Sequence, residues 1–193
     1  MSSTTVARMA RWAPDAAVRL ERAAVELFAE QGYDATTVPQ TTERAGLTTR
    51  TFFRHFVDKR EVLFLREREF PAVVASVLAG APPSLPPMEL VMYGLQTVAE
   101  QDLSRWRGDL AVRRSVLRAD ERLRERELLK STELAAAIAH ALVDHGLDPA
   151  TASMAARVAA LLLDVALDDW LDGDAPLPDV LDATRARMAA VVC

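Results

Sequence analysis

The chain has 193 residues, half of them hydrophobic, and 28 acidic against 23 basic side chains leave a net charge of −5. That length accommodates one small module plus a larger core, or a single domain, and the hydrophobic fraction excludes a chain too polar to fold. The single cysteine, Cys193, excludes an intramolecular disulfide and a cysteine-rich metal site, and no residues follow it to complete a prenylation box.

Charge is unevenly spread along the chain. Residues 1–60 carry nine Lys and Arg against seven Asp and Glu, whereas 61–193 carry fourteen against twenty-one, so only the first stretch has a potential that favours phosphate. Lysine occurs only as Lys59 and Lys130, a bias we attribute to genomic base composition. The N-terminus lacks the apolar core of a signal peptide, and the longest apolar run, 158–167, is interrupted by Asp164 and falls short of a bilayer. A cytoplasmic protein with no membrane association is therefore expected. Strand signals are absent, which predicts an all-α fold.

The first helix lies between Pro14 and a stop at Gly32 and Tyr33, with Leu20, Ala23, Ala24, Leu27 and Phe28 at helical spacing. Thr37 with Gln40 three residues on is a capping box, so a second, short helix opens near Val38; Pro39 suits its first turn and Gly46 its left-handed end. Thr48 caps a third helix, 49–56, and Asp58 with Glu61 repeats the box for a fourth. Two short helices joined by a Gly turn make a helix-turn-helix and point to DNA. Turning Phe52 and Phe56 inward leaves Thr49, Arg50, Phe53 and Arg54 outward, at the place where a recognition helix meets base edges.

From Asp58 the pattern reads as helix to about Leu78, until GAPPSLPP at 80–87 breaks it. Further helices are predicted at about 88–104, 107–117, 120–145, 149–171 and 177–192, with Gly146 as a stop and Asp148 as a cap, about nine helices in total. The penultimate one leaves little polar face. A helix apolar all round is buried all round, which requires either a second subunit or a central place in its own bundle. Val158, Leu161, Leu162, Val165, Leu181 and Met188 are the candidate dimer residues.

The runs ELFAEQGYDATTV at 26–38, ERAGLT at 43–48, and TFFRHF followed by Asp58 and Lys59 together resemble the DNA-binding domain of TetR-family transcriptional regulators. The resemblance covers about 20–63. It implies a DNA-binding domain at 14–60 and a helical effector-binding and dimerisation domain at 61–193. It also implies a homodimer paired through the last two helices, a pseudo-palindromic double-stranded operator, and a ligand-responsive repressor. By the same resemblance Thr37, Thr51, Phe53, His55 and Lys59 stand at phosphate-contact positions, Thr49, Arg50 and Arg54 face bases, and Phe52 belongs to the core; Thr48 joins the set as cap. Three departures matter. Thr41 and Thr42 replace the usual Ile-Ala and put two hydroxyls near the core, where they can bond back to the preceding turn. Phe53 replaces the usual Tyr, which removes a phosphate hydrogen bond and leaves apolar contact, for instance with a thymine methyl. Arg50 replaces a small residue and can hold guanine O6 and N7 bidentately.

Other clusters allow two readings each. Asp164, Asp168, Asp169, Asp172 and Asp174 form either a carboxylate site or, as we read them, an exposed helix end; no metal is expected. The Arg-rich run 113–130 is either a second nucleic-acid patch or a salt-bridged solvated face, and interleaved acids favour the latter. His140 and His145 are expected at the surface. Phe70, Met88, Met92, Tyr93 and Trp106 line either a pocket for a small apolar or amphipathic effector or ordinary core. No phosphate loop, nucleophile elbow or zinc spacing occurs, so neither an enzyme nor a cofactor is expected. The alternative to a regulator is a helical scaffold or nucleoid-type DNA-binding protein without small-molecule control.

Overall fold

The computed structural model describes residues 16–100 and 107–192. Among them are nine α-helices and no strand: α1 (Ala16–Gln31), α2 (Val38–Arg44), α3 (Thr49–His55), α4 (Phe70–Ala79), α5 (Pro87–Ala99), α6 (Arg107–Ala119), α7 (Glu121–Asp144), α8 (Pro149–Asp172) and α9 (Leu177–Val192). The backbone separates into two compact units. The first takes the described residues up to Leu65 together with Val112–Asp120, and the second takes Arg66–Ala111 and the chain from Glu121 onward.

The first unit is built on α1, whose Leu20, Ala23, Ala24, Leu27 and Phe28 are all buried and which packs against α2, α3 and a 3-10 turn at Glu61–Phe64. Val62, Leu63 and Phe64 in that turn are also buried, so the chain stays in this unit five residues past the boundary expected at 60. The end of α6 belongs here too, although the sequence reading assigned it to the second part. Arg113 accounts for this: its Nε donates to the Leu63 carbonyl at 2.6 Å and its guanidinium lies 5.5 Å from the centre of the Phe64 ring.

The continuous helix expected from Asp58 to Leu78 does not form. Two 3-10 turns, Glu61–Phe64 and Arg66–Glu69, precede α4, which begins only at Phe70. The cause is Pro71, which sits in the first turn of α4, where its missing N–H has no intrahelical acceptor to lose; deeper in a helix its ring clashes with the carbonyl four residues back. Asp58 does not cap a helix: the N–H groups of Arg60 at 2.8 Å and Glu61 at 3.1 Å donate to its carboxylate, but Arg60 is the residue that precedes the 3-10 turn and it makes no side-chain cap. The helix expected at about 88–104 ends at Ala99, and 101–106 lie outside the described residues.

In the second unit α8 packs against α5, α7 and α9. Asp148 accepts from the N–H groups of Ala150 and Thr151, both at 3.1 Å, and starts it beside Pro149. Ala152, Ala156, Ala159, Leu162, Ala166 and Trp170 form its buried stripe, in which the four alanines let neighbouring helices come close. Judged by its whole length rather than by the run 158–167, α8 is long and apolar enough to cross a bilayer, which corrects the sequence reading on that point. The buried stripe makes it a core helix of this unit. At its far end Arg107, from the start of α6, donates to the carbonyls of Trp170 at 2.8 Å and Leu171 at 3.3 Å and to that of Gly173, supplying a cation to the negative end of the helix.

Candidate nucleic-acid interface

The start of α2 is fixed by the capping box read from the sequence. The Thr37 N–H donates to Gln40 Oε1 at 2.8 Å, and the Gln40 N–H to Thr37 Oγ1 at 3.4 Å. The buried hydroxyls of Thr41 and Thr42 bond back to the carbonyls of Thr37 at 3.1 Å and Pro39 at 2.9 Å, which satisfies them without a partner from another element. The helix ends on Gly46 at φ +63°, with the Leu47 N–H returning to the Thr42 carbonyl at 2.8 Å. A side chain at 46 would be strained in this conformation and would meet the Arg19 guanidinium at 3.1 Å. That guanidinium donates to the Ala45 carbonyl and so ties α1 to the end of α2. The sequence reading missed Arg19, since nothing local marks a partner 26 residues away.

Thr48 caps α3 by accepting from the Thr51 N–H at 3.1 Å, and the two hydroxyls lie 2.9 Å apart. Phe52 and Phe56 are wholly buried, their rings 5.3 Å apart, and they hold α3 to the core. With that face inward, Thr49, Arg50, Phe53 and Arg54 stand in solvent, as the periodicity predicts, while Thr51 and His55 are half-buried at the flanks. Arg54 Nη2 lies 3.4 Å from His55 Nε2. Phe53 is 56% exposed and packs edge-on against Phe52, with ring centres 5.4 Å apart at 79°.

Lys59 is placed differently from an open phosphate ligand. Its ammonium donates to the carbonyls of Tyr33 at 2.7 Å and Thr36 at 3.0 Å and lies 4.0 Å from the centre of the Tyr33 ring. It therefore clamps the loop between α1 and α2 onto the chain that leaves α3. Beside it, burial raises the Asp58 pKa, but the Arg60 guanidinium at 2.8 Å and the N–H groups of Glu61 and Arg60 outweigh it and hold the carboxyl below its ordinary value.

A short helix locked at both ends of its turn, with a polar and cationic row facing outward over an apolar anchor, defines a helix-turn-helix DNA-binding domain. Residues 21–65 match the family description "Bacterial regulatory proteins, tetR family", so this stretch is similar to the DNA-binding domain of that family. Over 44 residues the chain is 54% identical to the HTH-type transcriptional regulator TcmR of Streptomyces glaucescens; the match covers 23% of this chain and 20%, about a fifth, of that relative. The fold extends further. FadR, a fatty acid degradation regulator from Bacillus halodurans, superposes with a TM-score of 0.60 at 18% identity, over 90% of this chain and 94% of that one. A putative TetR-family regulator from Rhodococcus sp. gives 0.57 at 17% identity, over 92% and 98%. FadR from Bacillus subtilis, solved with stearoyl-CoA, gives 0.55 at 20% identity, over 86% and 94%.

The effector and dimer candidates of the second unit are only partly brought together. Met92 is buried in the core, Met88 packs half-buried against it, and the Tyr93 hydroxyl donates to the Gly80 carbonyl at 3.0 Å. Met92 and Tyr93 line an open groove of about 540 Å³ with Glu89, Gln96, Asp182 and Arg185; Phe70 and Met88 do not, and Trp106 lies outside the described residues. Leu162 and Leu181 are fully buried within the unit, so they cannot face a second subunit, which corrects their assignment. Leu161, 56% exposed, and the half-buried Val158, Val165 and Met188 keep surface to offer. Met154, exposed on α8, was not picked out from the sequence.

Among the acidic residues, Asp169 pairs with Arg187. His140 is exposed, and His145 Nε2 lies 3.2 Å from the Pro82 carbonyl.

Proposed function

We propose that this protein is a sequence-specific, ligand-responsive transcriptional repressor. Its first unit reads a pseudo-palindromic duplex through α3, and its second unit forms a homodimer and takes a small apolar or amphipathic effector. The observation that carries the reading is the outward row Thr49, Arg50, Phe53 and Arg54 on a helix whose start is capped and whose inner face is anchored by two buried phenyl rings. Thr37, Thr48, Thr51, His55 and Lys59 flank that row and serve phosphate contact or its support. Dimerisation is supported by Met154 and Leu161, large apolar side chains left exposed on a helix whose other face is already buried. A twofold axis then gives two copies of α3 for two half-sites. The effector reading draws on the second unit as a helical bundle with open grooves; an amphipathic ligand, stearoyl-CoA, accompanies one protein of the same fold. The reading places the protein in the cytoplasm, with DNA, and assigns it no catalytic step.

Selection of duplexes from a random pool by the purified full-length protein tests this. A regulator enriches a single inverted repeat, and a ligand that releases it raises the melting temperature by binding the folded state. A nucleoid-type protein enriches nothing, and its affinity for unrelated duplexes equals that for any selected one.

A further inference from the structure

We infer that Phe53 reads a thymine methyl group in the major groove, so that each half-site of the preferred duplex contains a thymine recognised by its C5-methyl. The inference rests on the regulator reading above and supplies the chemistry of one of its contacts. Phe28, Phe52, Phe56 and Phe64 of the same unit are all buried, whereas Phe53 is 56% exposed. It stands on the outward side of α3 with Arg50 and Arg54. A phenyl ring has no donor, so it cannot hold a phosphate oxygen as a tyrosine hydroxyl would. What it can present to a base pair is an apolar surface, and among the groups that line the major groove the thymine methyl is the apolar one. The ring is also held in place before DNA arrives. It meets Phe52 edge-on at 5.4 Å, and Phe52 is wholly buried, so the orientation of the probe is referred to the core. That contact favours one placement of the ring on the outer side of the helix.

The test separates the methyl group from everything else thymine offers. Duplexes selected by the full-length protein are resynthesised with deoxyuridine at each thymine in turn, which removes the methyl and leaves every hydrogen-bonding group in place. At one position per half-site, affinity should fall roughly fourfold, the value of one buried methyl. Phe53→Leu, which keeps an apolar side chain, should retain the sensitivity to uracil. Phe53→Ser should lose it and bind thymine and uracil duplexes alike, with an unchanged circular dichroism spectrum, since the side chain it replaces is mostly in solvent. The inference is overturned if wild-type protein tolerates uracil at every thymine, or if Phe53→Ser remains as sensitive as wild type. It is equally overturned if Phe53→Ser weakens selected and scrambled duplexes by the same factor, which marks contact with the sugar-phosphate backbone. A protein that enriches no duplex overturns the regulator reading itself, and does so before any uracil is introduced.

Discussion

Removing the Lys59 ammonium should destabilise the DNA-binding unit as well as weaken DNA binding. In Lys59→Met the stem remains, but the bonds to the carbonyls of Tyr33 and Thr36 and the contact with the Tyr33 ring disappear. A hydrogen bond from a charged donor contributes about 1.5–3 kcal/mol when desolvated, and an exposed cation–π contact about 0.5–1 kcal/mol. Lys59 is half-buried, so solvent competes for both bonds and the ammonium recovers hydration on unfolding. We therefore expect a net loss of about 2 kcal/mol, which lowers the melting temperature of a chain of this length by about 4–8 °C. Thermal denaturation followed at 222 nm measures it, with the salt dependence of operator affinity recorded on the same samples. If the side chain also meets a phosphate when DNA is bound, the slope of log K against log salt falls by about 0.9 per subunit. A melting temperature equal to wild type, with only that slope reduced, would refute the clamp and return Lys59 to the role of a simple phosphate ligand.

Arg50→Ala should weaken the selected duplex by about 1–3 kcal/mol and relax preference at one base pair per half-site, measured by competition among single-position variants. Leu161→Asp should give a folded monomer by light scattering, because that side chain is exposed in the protomer; Leu162→Asp should instead abolish folding, because it buries an unpaired charge in the core. Asp58→Asn should remove part of the loss of stability on acidification. The folded pKa of Asp58 lies below its ordinary value of 3.8, so its contribution is present above that value and lost as pH falls through the folded one. Melting curves from pH 5 down to pH 2 should converge for the two proteins at the acid end.

Local chemistry was legible before the fold was known. Thr37, Gln40, Gly46, Thr48 and Asp148 each act within a few residues of themselves, and each was placed by spacing alone. Longer-range facts were not. Arg19 and Lys59 find carbonyls 26 and 23 to 26 residues away, a pairing that no periodicity encodes. The apolar character of α8 showed that it must be covered but not by what, so Leu162 was assigned to a partner when its own unit covers it. The apolar pattern runs on from Asp58 to Leu78 without a break, whereas the helix begins only at Phe70, with Pro71 in its first turn.

The Val112–Asp120 segment gives the DNA-binding unit a discontinuous sequence: the chain leaves it after Leu65, returns at Val112 and leaves again after Asp120. A fragment that stops at Leu65 lacks the Arg113 guanidinium that covers Phe64 and the donor that occupies the Leu63 carbonyl. The reading head is therefore not a cassette. Transplanting it onto a different second unit requires three splice points instead of one, and recombination that exchanges only the N-terminal stretch produces a chimera with a foreign patch in its own floor.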